Sequence, residues 1–356
     1  MTPSRTAPLS RRALLSAGGA LGAGVLISAC GGSDDDASNG SGSGSGSGEG
    51  GAASGAFSFT DDRGETVELD GVPERIVAFV GVAAALHDYG VEATAVFGPT
   101  TLPNGEPDAQ AGDLDVDGVT VLGNAWGEFN IEEYARLEPQ LLAATTYDTA
   151  SLWYVPEESA EDILSLAPSV AILTSPTADA PDIRLGSVIQ RHVELAEALG
   201  GDLDAPEVTD AIARFEAAAE SLRQATRDNP GIRVLACSAD AELFWNSDPS
   251  YYADLAWFRE LGVEFVVPDQ VGDGGFFEGV SWENADTYPA DLLLLDARTV
   301  ALQPEELTGK PTFARLPAVE AGQITGWNSE PIFSHAACAP LIERLAEAIR
   351  DARRVS

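Results

Sequence analysis

The residues best suited to chemistry in this 356-residue chain are aromatic, and they cluster just beyond segments that read as strands. Trp126 precedes a helical segment, Tyr147, Trp153 and Tyr154 follow the apolar run 140–146, and Trp245, Tyr251 and Tyr252 follow the run 232–237. Phe276 and Phe277 precede Trp282, and Trp327 follows 323–325. In α/β folds, ligands meet loops at the carboxyl ends of strands. Large rings placed there present flat apolar faces with hydroxyl and indole handles, which suits gripping a bulky, partly apolar molecule. Arg184 and Arg298 stand on comparable loops and can pair with carboxylate or catecholate oxygens.

Bond-breaking chemistry has no comparable set. His87, His192 and His335 are far apart in sequence, with no HExxH and no His–Cys pair at metal-ligand spacing. No GxSxG follows a strand, no phosphate loop occurs, and GDGG at 272–275 reads as a turn. The chain therefore reads as a binder rather than an enzyme, with no cofactor and no resident metal expected.

Of three cysteines, Cys30 closes an apolar run, 13–29, which follows Arg5, Arg11 and Arg12 and precedes the first acid, Asp34. Basic, then apolar, then small residues is the order of an export signal. The run is rich in Gly and Ala and short for a spanning helix. SRRALL at 10–15 resembles a twin-arginine signal, and LISAC at 26–30 resembles a bacterial lipobox, whose cysteine is acylated and becomes the first mature residue. Residues 1–29 are thus expected to be a signal peptide. Residues 30–55, including SGSGSGSG, form a lipidated flexible linker, being too poor in apolar side chains to repay the entropy of ordering. Cys237 and Cys338 remain, and in an exported protein an even pair is a disulfide candidate.

The formal charge is −37; without residues 1–29 it becomes −40, from 17 basic and 57 acidic groups. Nucleic acid and anionic headgroups are excluded as natural partners by that field. Hydrophobic residues make up 44%, enough for a sizeable core.

The elements that must position the aromatics alternate in type. After a hairpin over 57–69 come strands at 75–80, 93–98, 140–146 and 169–174, with helices at 82–89, 131–137 and 157–166. That alternation predicts a parallel sheet covered by helices, an N-terminal α/β lobe over 56–182. A helical segment, 183–229, follows. Within it Val208, Ile212, Phe215, Ala219 and Leu222 keep one stripe, Asp204 and Glu207 form a capping-box spacing, and Pro206 suits the first turn. The alternation then resumes as a second α/β lobe over 230–356. The fold class is α/β, two Rossmann-like lobes with central parallel-type sheets joined by one long backbone helix.

These residues carry a family likeness. DRGETVEL at 62–69 with VPERIV at 72–77, NIEEYARLEPQLL at 130–142, SWE at 281–283 with ADLLL at 290–294, and LPAVEAGQI at 316–324 resemble matching segments of the helical-backbone substrate-binding proteins of ABC importers. Gln140 stands where that family usually has Asp. The resemblance implies capture of a ferric siderophore, with cobalamin or haem as alternative cargo, or a ligand-sensing envelope lipoprotein of the same build. It also implies a monomer delivering to permease subunits from the outer face of the cytoplasmic membrane, and small-angle closure of the lobes. Glu132 and Glu283, each second in its helix after a capping Asn130 or Ser281, would be the carboxylates that dock on the permease. The body's negative charge favours a neutral or cationic ferric hydroxamate over a strongly anionic complex.

Overall fold

The computed structural model describes residues 55–356, except 103, 273, 274 and 299. The export signal, Cys30 and all but the last residue of the linker lie outside the described residues. The chain enters through strands β1 (Phe57–Thr60) and β2 (Thr66–Leu69), paired antiparallel with Phe57 opposite Leu69. Gly64 takes φ +82° at the turn, a conformation side-chain-bearing residues rarely adopt.

The first lobe then alternates: β3 (Ile76–Phe79), α1 (Val80–His87), β4 (Ala95–Phe97), β5 (Thr120–Val121), α2 (Ile131–Arg136), β6 (Leu141–Thr146), α3 (Ala160–Leu164) and β7 (Ser169–Leu173). The strands form one sheet in the order β5-β4-β3-β6-β7, every pairing parallel. All six residues of β6 are buried, as expected for a parallel strand covered on both faces.

Two helices leave this lobe, α4 (Leu185–Ala198) and α5 (Pro206–Asp228). At about 1.5 Å per residue, α5 is about 35 Å long, the reach of a small domain. Its buried stripe Val208, Phe215, Ala219 and Leu222 appears as the 3.6-residue period predicts, with Ile212 half-buried. The cap differs from expectation: Ala205 is the N-cap without a side-chain bond, and Pro206 opens the first turn.

The second lobe contains β8 (Arg233–Ala239), β9 (Leu243–Ser247), α6 (Ala253–Glu260), β10 (Glu264–Phe265), β11 (Phe277–Ser281), β12 (Leu292–Asp296), α7 (Pro304–Leu307), α8 (Pro317–Glu320), β13 (Ile324–Trp327) and α9 (His335–Asp351). Its sheet runs β11-β9-β8-β12-β13, with β10 beside the start of β8. The sheet is mixed, not parallel throughout as expected: β8, β12 and β13 are parallel, but β9 and β11 form an antiparallel ribbon, because β9 turns straight back from β8 without a crossover helix. Period-two alternation divides its two faces. Val234, Ala236, Leu292 and Leu294 join the core shared with α5, α9 and the first lobe, whereas Leu235, Leu293 and Leu295 face Leu307, Phe313 and Leu316.

The same division separates the cysteines. Cys237 lies in the outer cluster and Cys338, on α9, in the shared core; both are buried and free, so the expected bridge is not formed. The Cys338 thiol donates instead to the Ile332 carbonyl at 3.2 Å.

The lobes are bolted together on the side of α5 and α9. Tyr89, buried at the end of α1, bonds His335 Nδ1 at 2.9 Å and accepts the His335 N–H at 3.2 Å, while Ser334 bonds Asp88. Those bonds and the continuous helix make the joint stiff.

Candidate functional site

Opposite the joint, loops from the strand ends of both lobes bring the aromatics into one arc. Trp126, 63% exposed at the rim, meets the edges of Trp153 and Tyr154 at ring-centre distances of 4.8 and 5.1 Å. Trp153 touches Tyr147 at 4.7 Å, and Tyr154 stacks on Phe79 at 5.4 Å. Tyr154 does so with φ +63°, a strained backbone for a tyrosine. From Tyr147 the arc crosses to the second lobe at Phe276, 5.9 Å away, which also touches Tyr251 and Tyr252 at 5.8 and 5.5 Å. Tyr252 reaches Trp327 at 5.0 Å, and Phe277 crosses Trp245 at 5.0 Å. Edge-to-face contacts of this kind are each worth about 0.5–1.5 kcal/mol beyond the area they bury.

Three placements differ from the loop positions expected, the first being Phe277, which opens β11. Trp245 is on β9, facing Gly279 of β11, and its indole donates to Asp240 at 2.8 Å. A side chain at 279 would begin 2.5 Å from the Trp245 ring, so glycine is what lets the indole lie across the ribbon. Trp327 is buried beneath the cleft, its indole donating to Asp254 at 2.8 Å. Burial pushes the Asp254 carboxyl up to about 6, against the pull of that indole and of the Leu255 N–H.

The two arginines part company. Arg184 caps α4, pairs with Glu260 at 2.6 Å and donates to the carbonyls of Pro181 and Ile183, in a surface groove that shares only Tyr251 with the arc. Arg298 is in the cleft, beside Trp245, Tyr252 and Trp327, lining a cavity of about 270 Å³. It is held on two sides. Nη2 reaches Asp296 at 2.7 Å, Nε meets the same carboxylate at 3.1 Å, and Nη1 bonds Glu330. Glu330 also accepts the Trp153 indole N–H at 3.2 Å and the Gln110 amide at 3.3 Å, joining second-lobe Arg298 to two first-lobe side chains. Burial pushes the Glu330 carboxyl up, while Arg298 and the Trp153 indole pull it back. Burial likewise pushes the Tyr147 and Tyr252 phenols up, against hydrogen bonds to Thr174 and Ser247, and brings Tyr154 to about 12.

Asp296, Glu330 and Gln110 were absent from the sequence reading. Asp296 carries a usable signal, standing at the carboxyl end of a strand. Glu330 and Gln110 carry none, as single polar residues on loops of a strongly acidic chain.

A larger groove of about 810 Å³ opens on the side of the joint, where Asp88, Asp113, Glu207 and Asp210 share the lining with Arg214 and Arg344 and with apolar residues such as Ile332 and Leu341. Only Trp327 of the arc reaches it, so it lacks the stacking faces that distinguish the other mouth. Among the described residues no group of three or more His, Cys, Asp or Glu is placed to hold a metal ion. His192 is buried in α4, with Nδ1 on the Val188 carbonyl.

Glu132 is exposed in the first turn of α2, whose cap Asn130 accepts the Glu133 N–H at 3.0 Å. Glu133 pairs forward with Arg136 instead of reaching back to the cap. Glu283 is exposed in a short 3-10 turn, Trp282–Asn284, not an α-helix, and Ser281 makes no capping bond to the turn's backbone.

The family model described as periplasmic binding protein matches residues 78–331. DesE, a ferric-siderophore receptor protein from Streptomyces coelicolor, is 53% identical, with TM-score 0.80 over 84% of this chain and 100% of its own. The petrobactin-binding protein YclQ from Bacillus subtilis shares the fold at 15% identity, with TM-score 0.61 over 83% of this chain and 99% of its own. SirA from Staphylococcus aureus, solved with staphyloferrin B, does so at 19% identity, with TM-score 0.56 over 83% and 97%. No curated protein sequence matches.

Proposed function

This chain belongs to the periplasmic binding protein family, in its helical-backbone class, and from that premise we propose that it captures a ferric siderophore and delivers it to an ABC importer. The observation that carries the reading is the aromatic arc running unbroken from Trp126 to Trp327 across both lobes. Rings inclined to one another at 61–80° can enclose a rounded, partly apolar object from several directions, and the neutral phenols supply hydroxyl contacts without charge. A ferric siderophore in which organic arms wrap the metal fits that enclosure. The similarity to DesE supports the same class of cargo. The protein would act by binding alone.

The charge balance points to a neutral or cationic complex, as in ferric hydroxamates. The body is strongly acidic, and the cleft arginine already faces two carboxylates.

Delivery uses surfaces outside the cleft. Glu132 and Glu283, exposed one per lobe, would enter arginine pockets of the permease, and the acylated Cys30 would hold a monomer at the outer face of the cytoplasmic membrane. No described helix is long and apolar enough to cross a membrane.

Growth under iron limitation tests delivery. Cells lacking this chain should lose growth supported by a ferric hydroxamate and regain it when the wild-type chain is restored, while Cys30→Ser should shed the protein from the membrane fraction. Undiminished hydroxamate-dependent iron uptake in the deletion strain would count against the reading.

A further inference from the structure

Arg298 is the basic side chain in the lining of the cleft cavity, and its charge is met twice. Asp296, 1% exposed, grips Nε and Nη2; Glu330, its side chain 14% exposed, takes Nη1. The two acids differ in origin. Asp296 ends β12 and is further fixed by the Ser238 hydroxyl at 3.1 Å, so it belongs to the second lobe's frame. Glu330 stands on the loop after β13 and spends its other oxygen on Trp153 and Gln110 of the first lobe. One partner would leave the guanidinium neutralised. Two leave the cluster one negative charge in excess.

We propose that Glu330 is a specificity-determining residue that sets the charge class of the cargo: by pairing with Nη1 of Arg298 it adds a second carboxylate to the guanidinium and so competes with anionic chelates for it. The proposal rests on the siderophore reading of the site. An anionic complex entering the cleft meets surplus negative charge and has to displace Glu330 before it can form charge-assisted bonds to Arg298. A neutral complex meets the aromatic faces with the cluster left intact. Selectivity of this kind comes from a built-in repulsion and needs no added contact to the favoured ligand.

The substitution Glu330→Gln separates charge from shape. Glutamine keeps an oxygen for the Trp153 and Gln110 donors, and it removes the surplus charge facing the cargo. The probes are ferrichrome, a neutral ferric trihydroxamate, and ferric enterobactin, a trianionic ferric tricatecholate, titrated against the same folded preparation. Wild type should bind ferrichrome much more tightly than ferric enterobactin. In Glu330→Gln the ratio should move toward the tricatecholate by about tenfold or more, the scale of one charge-assisted hydrogen bond. Adding Arg298→Gln should abolish that gain, and the gain should shrink as salt rises. Because the readout is a ratio within one variant, Glu330→Ala serves equally if glutamine disturbs folding. An unchanged ratio in a variant that binds ferrichrome overturns the proposal alone. Wild-type protein binding neither complex overturns the siderophore reading, and the proposal falls with it.

Discussion

Trp153 does three things with one side chain. It meets Tyr147 and Trp126 at steep ring angles, and its N–H is the first lobe's handle on Glu330. A ring so placed cannot turn without disturbing both the arc and the link between lobes. Trp153→Leu keeps apolar bulk but loses the ring contacts and the indole donor, and should weaken ferric hydroxamate binding by about tenfold, equivalent to about 1.4 kcal/mol. Quenching of the remaining tryptophans on titration reads this directly, and wild-type affinity would place Trp153 outside the cargo contact. At this scale the sequence was half legible. Rings on loops beyond strands stand out, because exposed loops have little other use for them. The acids that complete the site do not stand out from 57 acidic residues, and Arg184 and Arg298 look alike until folding gives one to Glu260 and the other to Glu330.

Among the elements, those held by a single clear period were readable. The stripe of α5 and the run of β6 are unambiguous because each is buried in the way its period requires. The ribbon β9 and β11 was missed for the opposite reason. FEGVS at β11 has no buried residue and contains Gly279, so neither alternation nor propensity marks it as a strand. What joins the second lobe's elements is partly electrostatic. Asp291, buried just before β12, accepts the N–H groups of Arg233, Val355 and Ser356 and the Ser356 hydroxyl, tying β8 and the chain's last residues to one carboxylate. Burial alone would raise its pKa, but those donors hold it below the ordinary carboxylate range. A depressed folded value means the bonds stabilise the lobe above the unfolded value of about 4, and that stabilisation is lost as pH falls through the folded value. Asp291→Ala should therefore lower unfolding stability at neutral pH by about 2–3 kcal/mol. The gap to wild type should narrow in acid, as denaturant unfolding at a series of pH values would report. A gap independent of pH would assign the role of Asp291 to packing.

At the scale of the molecule, the proposed function gives capture and handover different surfaces, and that separation can be tested. Glu132 and Glu283 are exposed on separate lobes, away from the arc, so reversing their charge leaves the cleft's contacts in place. Glu132→Arg with Glu283→Arg should abolish siderophore-dependent uptake in cells while the purified variant binds cargo as wild type does, since each carboxylate in an arginine pocket is worth about 1.5–3 kcal/mol and its reversal adds repulsion. Normal uptake by the double variant would remove both residues from the docking surface. The central claim is narrower: this two-lobed chain binds a ferric siderophore in its aromatic cleft. Its most direct test is a calorimetric titration of residues 55–356 with ferrichrome, ferric enterobactin, haem and cobalamin in parallel. The account predicts a single site for ferrichrome with micromolar or tighter affinity, and weaker or no binding of the other three. Binding of haem or cobalamin alone, or of none of the four, would contradict it.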